Sequence, residues 1–137
     1  MTLETLIQRE DAFMNDLRAL DDRMARYKYL LSYTDCMNEL SEEECTQDNK
    51  LRGCVSDVWI SITLDDGIMH LRASSDALII KGLLGAICAI VDGREAAEVA
   101  AWEPRLLDLP QLRTQFKLDR RRAMRSIIEK ITAAAIG

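Results

Sequence analysis

A chain of 137 residues, 48% of them hydrophobic but only 5% aromatic, is the size of one domain, and aliphatic side chains must fill most of its core. Its 23 acidic and 18 basic residues leave a formal net charge of -5, which argues against general nucleic-acid binding. The longest apolar run, 77–91, is interrupted by Lys81 and two glycines, too short and broken for a membrane span, and no apolar run follows a basic start, so neither a span nor a signal peptide is expected.

Leu3, Leu6 and Ile7 open a helical stripe for which Thr2 is a plausible cap. Phe13, Leu17, Leu20, Met24, Tyr27 and Leu31 continue it at spacings of three and four, which predicts one buried face running through one helix or two consecutive helices. Asp21-Asp22 is a capping pair, so a break is expected near Leu20. The acidic stretch 32–48 reads as solvated, with a loop or one helical turn at Ser41–Glu44.

Strands are expected next. A short one falls near Lys50-Leu51 and a long one at 55–64, where apolar residues alternate. Asp65-Asp66-Gly67 is a hairpin signal, and 68–73 returns as the partner strand. Ser75-Asp76 should cap a helix reaching Val91, apolar on nearly every side and therefore central, with Gly82, Gly85, Ala86 and Ala89 letting it approach the sheet closely. Asp92-Gly93 stops it. A short helix spans 95–102, a loop with Pro110 spans 106–112, and Asp119 caps a last helix that buries Met124, Ile127, Ile128 and Ile131. The fold class is α+β: a small antiparallel sheet with one face against helices.

The chemistry concentrates between Asn49 and Trp59. Gly53 permits a sharp turn immediately before Cys54, which puts that thiol at a loop-to-strand junction where a large partner can reach it. Asn49, Gly53-Cys54, Ser56 and Val58-Trp59, followed by Ser75-Asp76, Lys81-Gly82-Leu83 and Asp119-Arg120, resemble in order the pattern of the SufE family of sulfur acceptors, which includes the CsdE branch. The resemblance covers most of the chain, 1–137 being read as one SufE-like domain of the SufE/IscU-like α+β type. The chain departs from the pattern at Thr34 and Asn38, where glycine and proline are usual, at Asp119, where serine is usual, and at Cys36 and Cys45, where basic residues are usual.

The resemblance implies a mechanism. A pyridoxal-phosphate cysteine desulfurase, SufS-like or CsdA-like, holds sulfur as a persulfide, and the acceptor thiol, here Cys54, takes it over and delivers it to an iron–sulfur assembly scaffold. The acceptor needs no cofactor of its own and leaves carbon–sulfur cleavage to its partner, so the protein is not expected to be a free-standing enzyme. Asp76 matches a family aspartate near the cysteine loop, although capping is read as its main task. Arg120 matches a family arginine that faces the desulfurase. Arg52, adjacent to Cys54, could favour its thiolate. Asn49 and Ser56 are expected to shape the loop by hydrogen bonding rather than to react, and Trp59 to lie in the core. A cytoplasmic setting follows as the default, where cysteines serve as thiols or ligands before disulfides.

A different class of function stays open on the residues alone. Cys36, Cys45 and Cys54 are nine apart and His70 is the single histidine, so a metal or iron–sulfur scaffold would need three of these to converge, although their spacing is not a paired-ligand knuckle. Cys45 could instead serve as a resolving thiol for Cys54. Cys88, within the apolar helix, is expected to be buried and inert.

Overall fold

The computed structural model describes residues 5–51 and 57–136. Helices α1 (Leu6–Arg18) and α2 (Arg23–Ser32) lead into a 3-10 turn at Tyr33–Cys36 and a second at Glu42–Glu44. Strands β1 (Val58–Asp65) and β2 (Ile68–Ser75) form a two-stranded antiparallel sheet, followed by α3 (Leu78–Val91), α4 (Ala96–Ala100), a 3-10 turn at Leu106–Asp108, α5 (Pro110–Arg113) and α6 (Leu118–Ile136). This is an α+β fold.

Thr5, rather than Thr2, caps α1: its Oγ1 accepts from Gln8 N, and Gln8 Oε1 accepts from Thr5 N, a reciprocal capping box. Thr2 and Leu3 lie outside the described residues. Leu6, Phe13, Met14 and Leu17 are buried, whereas Ile7 is exposed. Buried with them is Glu10, which no hydrophobic pattern reveals. Its carboxylate accepts from the backbone of Arg105 and Leu106 and from the Arg105 guanidinium, so it clamps the segment after α4 onto α1.

The break between α1 and α2 falls as the aspartate pair suggests, with Asp22 Oδ2 accepting from Ala25 N. The apolar stripe, however, does not cross it. Met24 is 57% exposed and Tyr27 36%. The inner side of α2 is instead tied by polar bonds: Arg26 Nε donates to Gln115 Oε1, Arg23 to the Gln115 carbonyl, and Gln115 Nε2 returns one to the Arg23 carbonyl. Leu30 completes that face. The non-helical residues at the break reset the helical phase, and once reset, the spacing read through it carries no meaning.

Asp66 and Gly67 both have positive φ, the geometry of a two-residue turn matched to strand twist, and Asp65 pairs with Ile68 across it. Val58 and Ile60 on β1, with Met69, Leu71 and Ala73 on β2, bury one face. Trp59 alternates onto the other face and is only half buried, so it is not the core residue expected. Both outer edges of this small sheet are covered by irregular chain. Ala73 N donates to Asn38 O and Leu40 N to Ala73 O on one edge, while Leu51 N donates to Val58 O and Ile60 N to Asn49 O on the other.

Helix α3 is central and buried almost all round. Its glycines meet other helical chain rather than the sheet. A Cβ built at Gly82 would lie 2.5 Å from the Leu30 carbonyl oxygen, and one at Gly85 would lie 1.8 Å from that of Tyr33. The end of α2 and the turn after it therefore rest backbone-to-backbone on α3. Asp92 and Gly93, φ +77°, end α3 as expected, and Asp92 Oδ1 accepts from Leu71 N. The 106–112 stretch is not a plain loop but a 3-10 turn and α5, with Pro110 in the first turn of α5. Asp119 lies inside the first turn of α6 instead of before it, its Oδ1 accepting from Arg120 N. Met124, Ile127, Ile128 and Ile131 bury α6 as their spacing predicts.

Gly85→Ala is expected to destabilise the fold by about 3 kcal/mol or more, because the clashing atom is backbone and cannot rotate away. Urea unfolding checks this; a loss under about 0.5 kcal/mol, the scale of a surface substitution, would contradict the close contact.

Candidate functional site

Residues 52–56, with Arg52, Gly53, Cys54, Val55 and Ser56, lie outside the described residues. The residues on either side of them are tied down by several independent bonds. On the near side, Leu51 N donates to Val58 O at 2.8 Å and Ile60 N to Asn49 O at 2.7 Å, so the chain entering the segment is paired with the strand that leaves it. Lys50 Nζ lies 2.9 Å from Asp57 Oδ1 across the same mouth. The Asn49 side chain donates from Nδ2 to Glu44 O at 2.8 Å, holding the turn that precedes the mouth.

On the far side Asp57 is gripped by the residues entering α3. Its N–H donates to Asp76 Oδ1 at 3.0 Å, and its carbonyl accepts from Ser75 Oγ at 2.6 Å and from Asp76 N at 3.3 Å. This corrects the reading of Asp76 as a helix cap. The cap position of α3 is Ala77, which has no side-chain cap bond, and the Asp76 carboxylate bonds Asp57 instead. Ser75 Oγ also accepts from Ala77 N, so one hydroxyl links the helix start to the mouth of the segment. The strand pairing explains why: Val58 lies opposite Ser75, so the end of β2 necessarily faces the start of β1.

The turn below the mouth is held to the sheet by charge. Arg72, on the outer face of β2, makes a two-pronged contact with Glu44, one prong Nη2 to Oε1 at 2.8 Å and the other Nη1 to Oε2. Ser41 N donates to Glu44 Oε1 as well. The Arg72 guanidinium, and after it the Ser41 N–H, hold the Glu44 carboxyl down at about 2. Lys81 on α3 reaches Glu39 at 3.0 Å, fastening the other end of the same strap.

The remaining thiols differ sharply. Cys88 is buried in α3, and burial pushes its thiol up to about 12, which leaves it un-ionised at neutral pH. Cys36 is exposed and Cys45 half-buried. Among the described residues no three His, Cys, Asp or Glu side chains are placed to hold a metal, so Cys36, Cys45 and His70 do not form one site by themselves. Arg120 sits half-buried in the first turn of α6, its Nη1 shut off from solvent and without a hydrogen-bond partner among the described residues. No helix among the described residues is long and apolar enough to cross a membrane.

A family model described as SufE, an Fe-S metabolism associated domain, matches residues 11–135. The chain belongs to the SufE family. Among its SufE relatives is an uncharacterised SufE-like protein of Rhizobium etli, 32% identical over 131 residues, covering 91% of this chain and 88% of that one. The sulfur acceptor protein CsdE of Escherichia coli is 32% identical over 111 residues, covering 80% of this chain and 76% of that one. The solution structure of a hypothetical protein from Thermus thermophilus superposes with a TM-score of 0.77 at 15% identity over 93% of each chain, a likeness of fold.

Within this SufE-family chain, the segment carrying Gly53-Cys54 is thus bounded by a frame that sequence reading grasps only in part. Asn49 and Asp76 belong to it, and Ser75 is singled out only as a capping and family-pattern residue, while Arg72, Glu44 and the Lys50–Asp57 pair escape that reading. A strand-to-strand register is the signal that would find Ser75, and nothing local marks Glu44 among three successive glutamates.

Two outcomes follow for this frame. Glu44, depressed in the folded protein, contributes stability that is complete above its ordinary value of 4.5 and is lost as pH falls through about 2. Carbon-detected NMR titration should place its midpoint near 2, and Arg72→Ala should return it toward the ordinary range; a wild-type midpoint above about 4, close to the ordinary glutamate value, would refute the contact. Asp76→Ala should speed amide exchange at Asp57 about tenfold by removing one charge-assisted bond, with little change in β1 beyond it. Equal rates in the two proteins would show that the carboxylate does not hold Asp57.

Proposed function

We propose that this protein accepts sulfur on Cys54 from a pyridoxal-phosphate cysteine desulfurase and passes it to an iron–sulfur assembly scaffold. The observation that carries the reading is the Gly53-Cys54-x-Ser56-x-Val58-Trp59 core within a chain of the SufE family, one relative of which is named a sulfur acceptor. The proposed step is an exchange at sulfur. The Cys54 thiolate attacks the outer sulfur of the desulfurase persulfide, a new S–S bond forms, the old one breaks, and the donor cysteine leaves as thiolate. No net oxidation or reduction occurs, and the cargo ends as a persulfide on Cys54. A second exchange with a thiolate of the recipient discharges it in the same way.

The chain's own residues bring access and positioning. The anchors at Leu51 and Asp57 hold the described chain on either side of the segment that carries Cys54. Asn49, Gly53, Ser56 and Asp76 shape the segment in this reading. Arg52 and Arg120 meet the acidic surface of the desulfurase, a task that speeds encounter more than it adds affinity. Cleavage of carbon from sulfur stays with the partner, and the acceptor uses no cofactor of its own. Cys88 is excluded from the chemistry by its burial and its raised pKa.

The test is a mass measurement. With a catalytic amount of desulfurase and excess L-cysteine, peptide mapping should find one added sulfur on Cys54, removable by reductant, and none on Cys88. Cys54→Ser should abolish both the added sulfur and any stimulation of the desulfurase while its thermal unfolding stays that of the parent. Stimulation persisting in Cys54→Ser, or sulfur accumulating on another cysteine, would overturn the assignment.

A further inference from the structure

Several basic side chains of this acidic protein are engaged locally. Lys50, Arg72, Lys81, Arg94 and Arg105 each pair with a carboxylate, and Arg23 and Arg26 donate to carbonyl and amide oxygens. The arginines at the start of α6 are not among them. Among the described residues Arg113, Arg120, Arg121, Arg122 and Arg125 make no ion pair. Leu118, Arg121, Arg122 and Arg125 fall at i, i+3, i+4 and i+7, one continuous helical face. That face looks onto a cavity of about 200 Å³ whose opposite wall is Leu107 and Asp108, with Arg113 at the end of α5.

Four guanidinium groups against one carboxylate give this cavity a formal charge of +3. Collecting like charges in a partly enclosed space is costly unless a counter-charge is held there. A second observation concerns Arg121, which lines the cavity. Its Nε is shut off from solvent and has no hydrogen-bond partner among the described residues, although a buried charged donor ordinarily has one. The geometry points to a binding site for a phosphate group in this cavity, held by Arg113, Arg121, Arg122 and Arg125.

The chemistry selects the class. A lone carboxylate offers one charge and two oxygens, too few for four planar donors. A phosphate dianion offers two charges and oxygens in several directions, which suits guanidinium forks converging from two walls. The volume is about seven times the liquid share of one water molecule, enough for phosphate together with a small organic tail. The first turn of α6 adds the positive end of a 19-residue helix on the same side. Asp108 disfavours ligands bearing a negative charge on the Leu107 side.

Isothermal titration of the full chain at fixed ionic strength tests this, with inorganic phosphate as the probe and chloride as the reference. Phosphate should bind saturably, one per chain. Arg122→Gln/Arg125→Gln, whose side chains are exposed and whose loss spares the core, should weaken it at least about tenfold. Arg18→Gln, on the exposed side of α1, should leave it unchanged. A second arm uses glycerol phosphate: tighter binding than inorganic phosphate assigns an organic monoester as the ligand, and equal or weaker binding assigns the free ion. Absence of saturable binding, or equal binding by the double variant, would overturn the site.

Discussion

The structure depends on two carbonyl groups lying directly against α3. Gly82 receives the Leu30 carbonyl and Gly85 that of Tyr33, at separations no side-chain-bearing residue allows. That contact sets where α2 ends and where the following turn begins. From there Asn38 and Leu40 bond to Ala73, Arg72 grips Glu44, Asn49 bonds Glu44 and Ile60, and Leu51 meets Val58. Each bond is placed by the one before it. The strap from α2 to the mouth of the Cys54 segment therefore starts from the packing of α2 and the following turn against α3. A small sheet of two strands would be marginal by itself, and this strap also covers its edges.

Charge is used in two ways on the molecule. Around the Cys54 segment it is arranged in pairs: Lys50 with Asp57, Arg72 with Glu44, Lys81 with Glu39. These pairs are exposed, so each is worth little in stability, but each specifies which part of the strap meets which part of the sheet. At the start of α6 the arginines have no ion-pair partner among the described residues, and they gather around one cavity of a chain whose net charge is -5. A localised patch of this kind on an acidic background gives an approaching anion or acidic surface a direction.

Several misreadings share one cause. The stripe through Met24 and Tyr27 presumes that helical phase survives the break at Asp21-Asp22, and it does not. The small residues of α3 suggest the sheet as their neighbour because both elements are apolar, yet the glycines meet helical backbone. The local position of Asp76 suggests a cap, while its carboxylate bonds a residue 19 positions earlier that strand pairing brings beside it. Hydrophobicity places Trp59 in the core, although alternation within β1 turns it outward once Val58 and Ile60 face in. Each is a question of which distant neighbour wins, and intrinsic preference cannot answer it.

Legible in the residues alone is whatever is local or short in range: the α+β class, the helix limits at Asp22 and Gly93, the Asp66-Gly67 turn, the buried stripe of α6, the inert Cys88 and the family pattern centred on Cys54. These follow from backbone freedom, capping and periodicity, which a few neighbouring residues encode. The pairing of remote groups emerges only from the folded chain: Glu10 with Arg105, Arg72 with Glu44, Asp76 with Asp57, and the arginines of α5 and α6 around one cavity. A hydrogen bond or ion pair acts over a few ångströms in space without regard to distance along the chain, so its partners become known only when packing has brought them together.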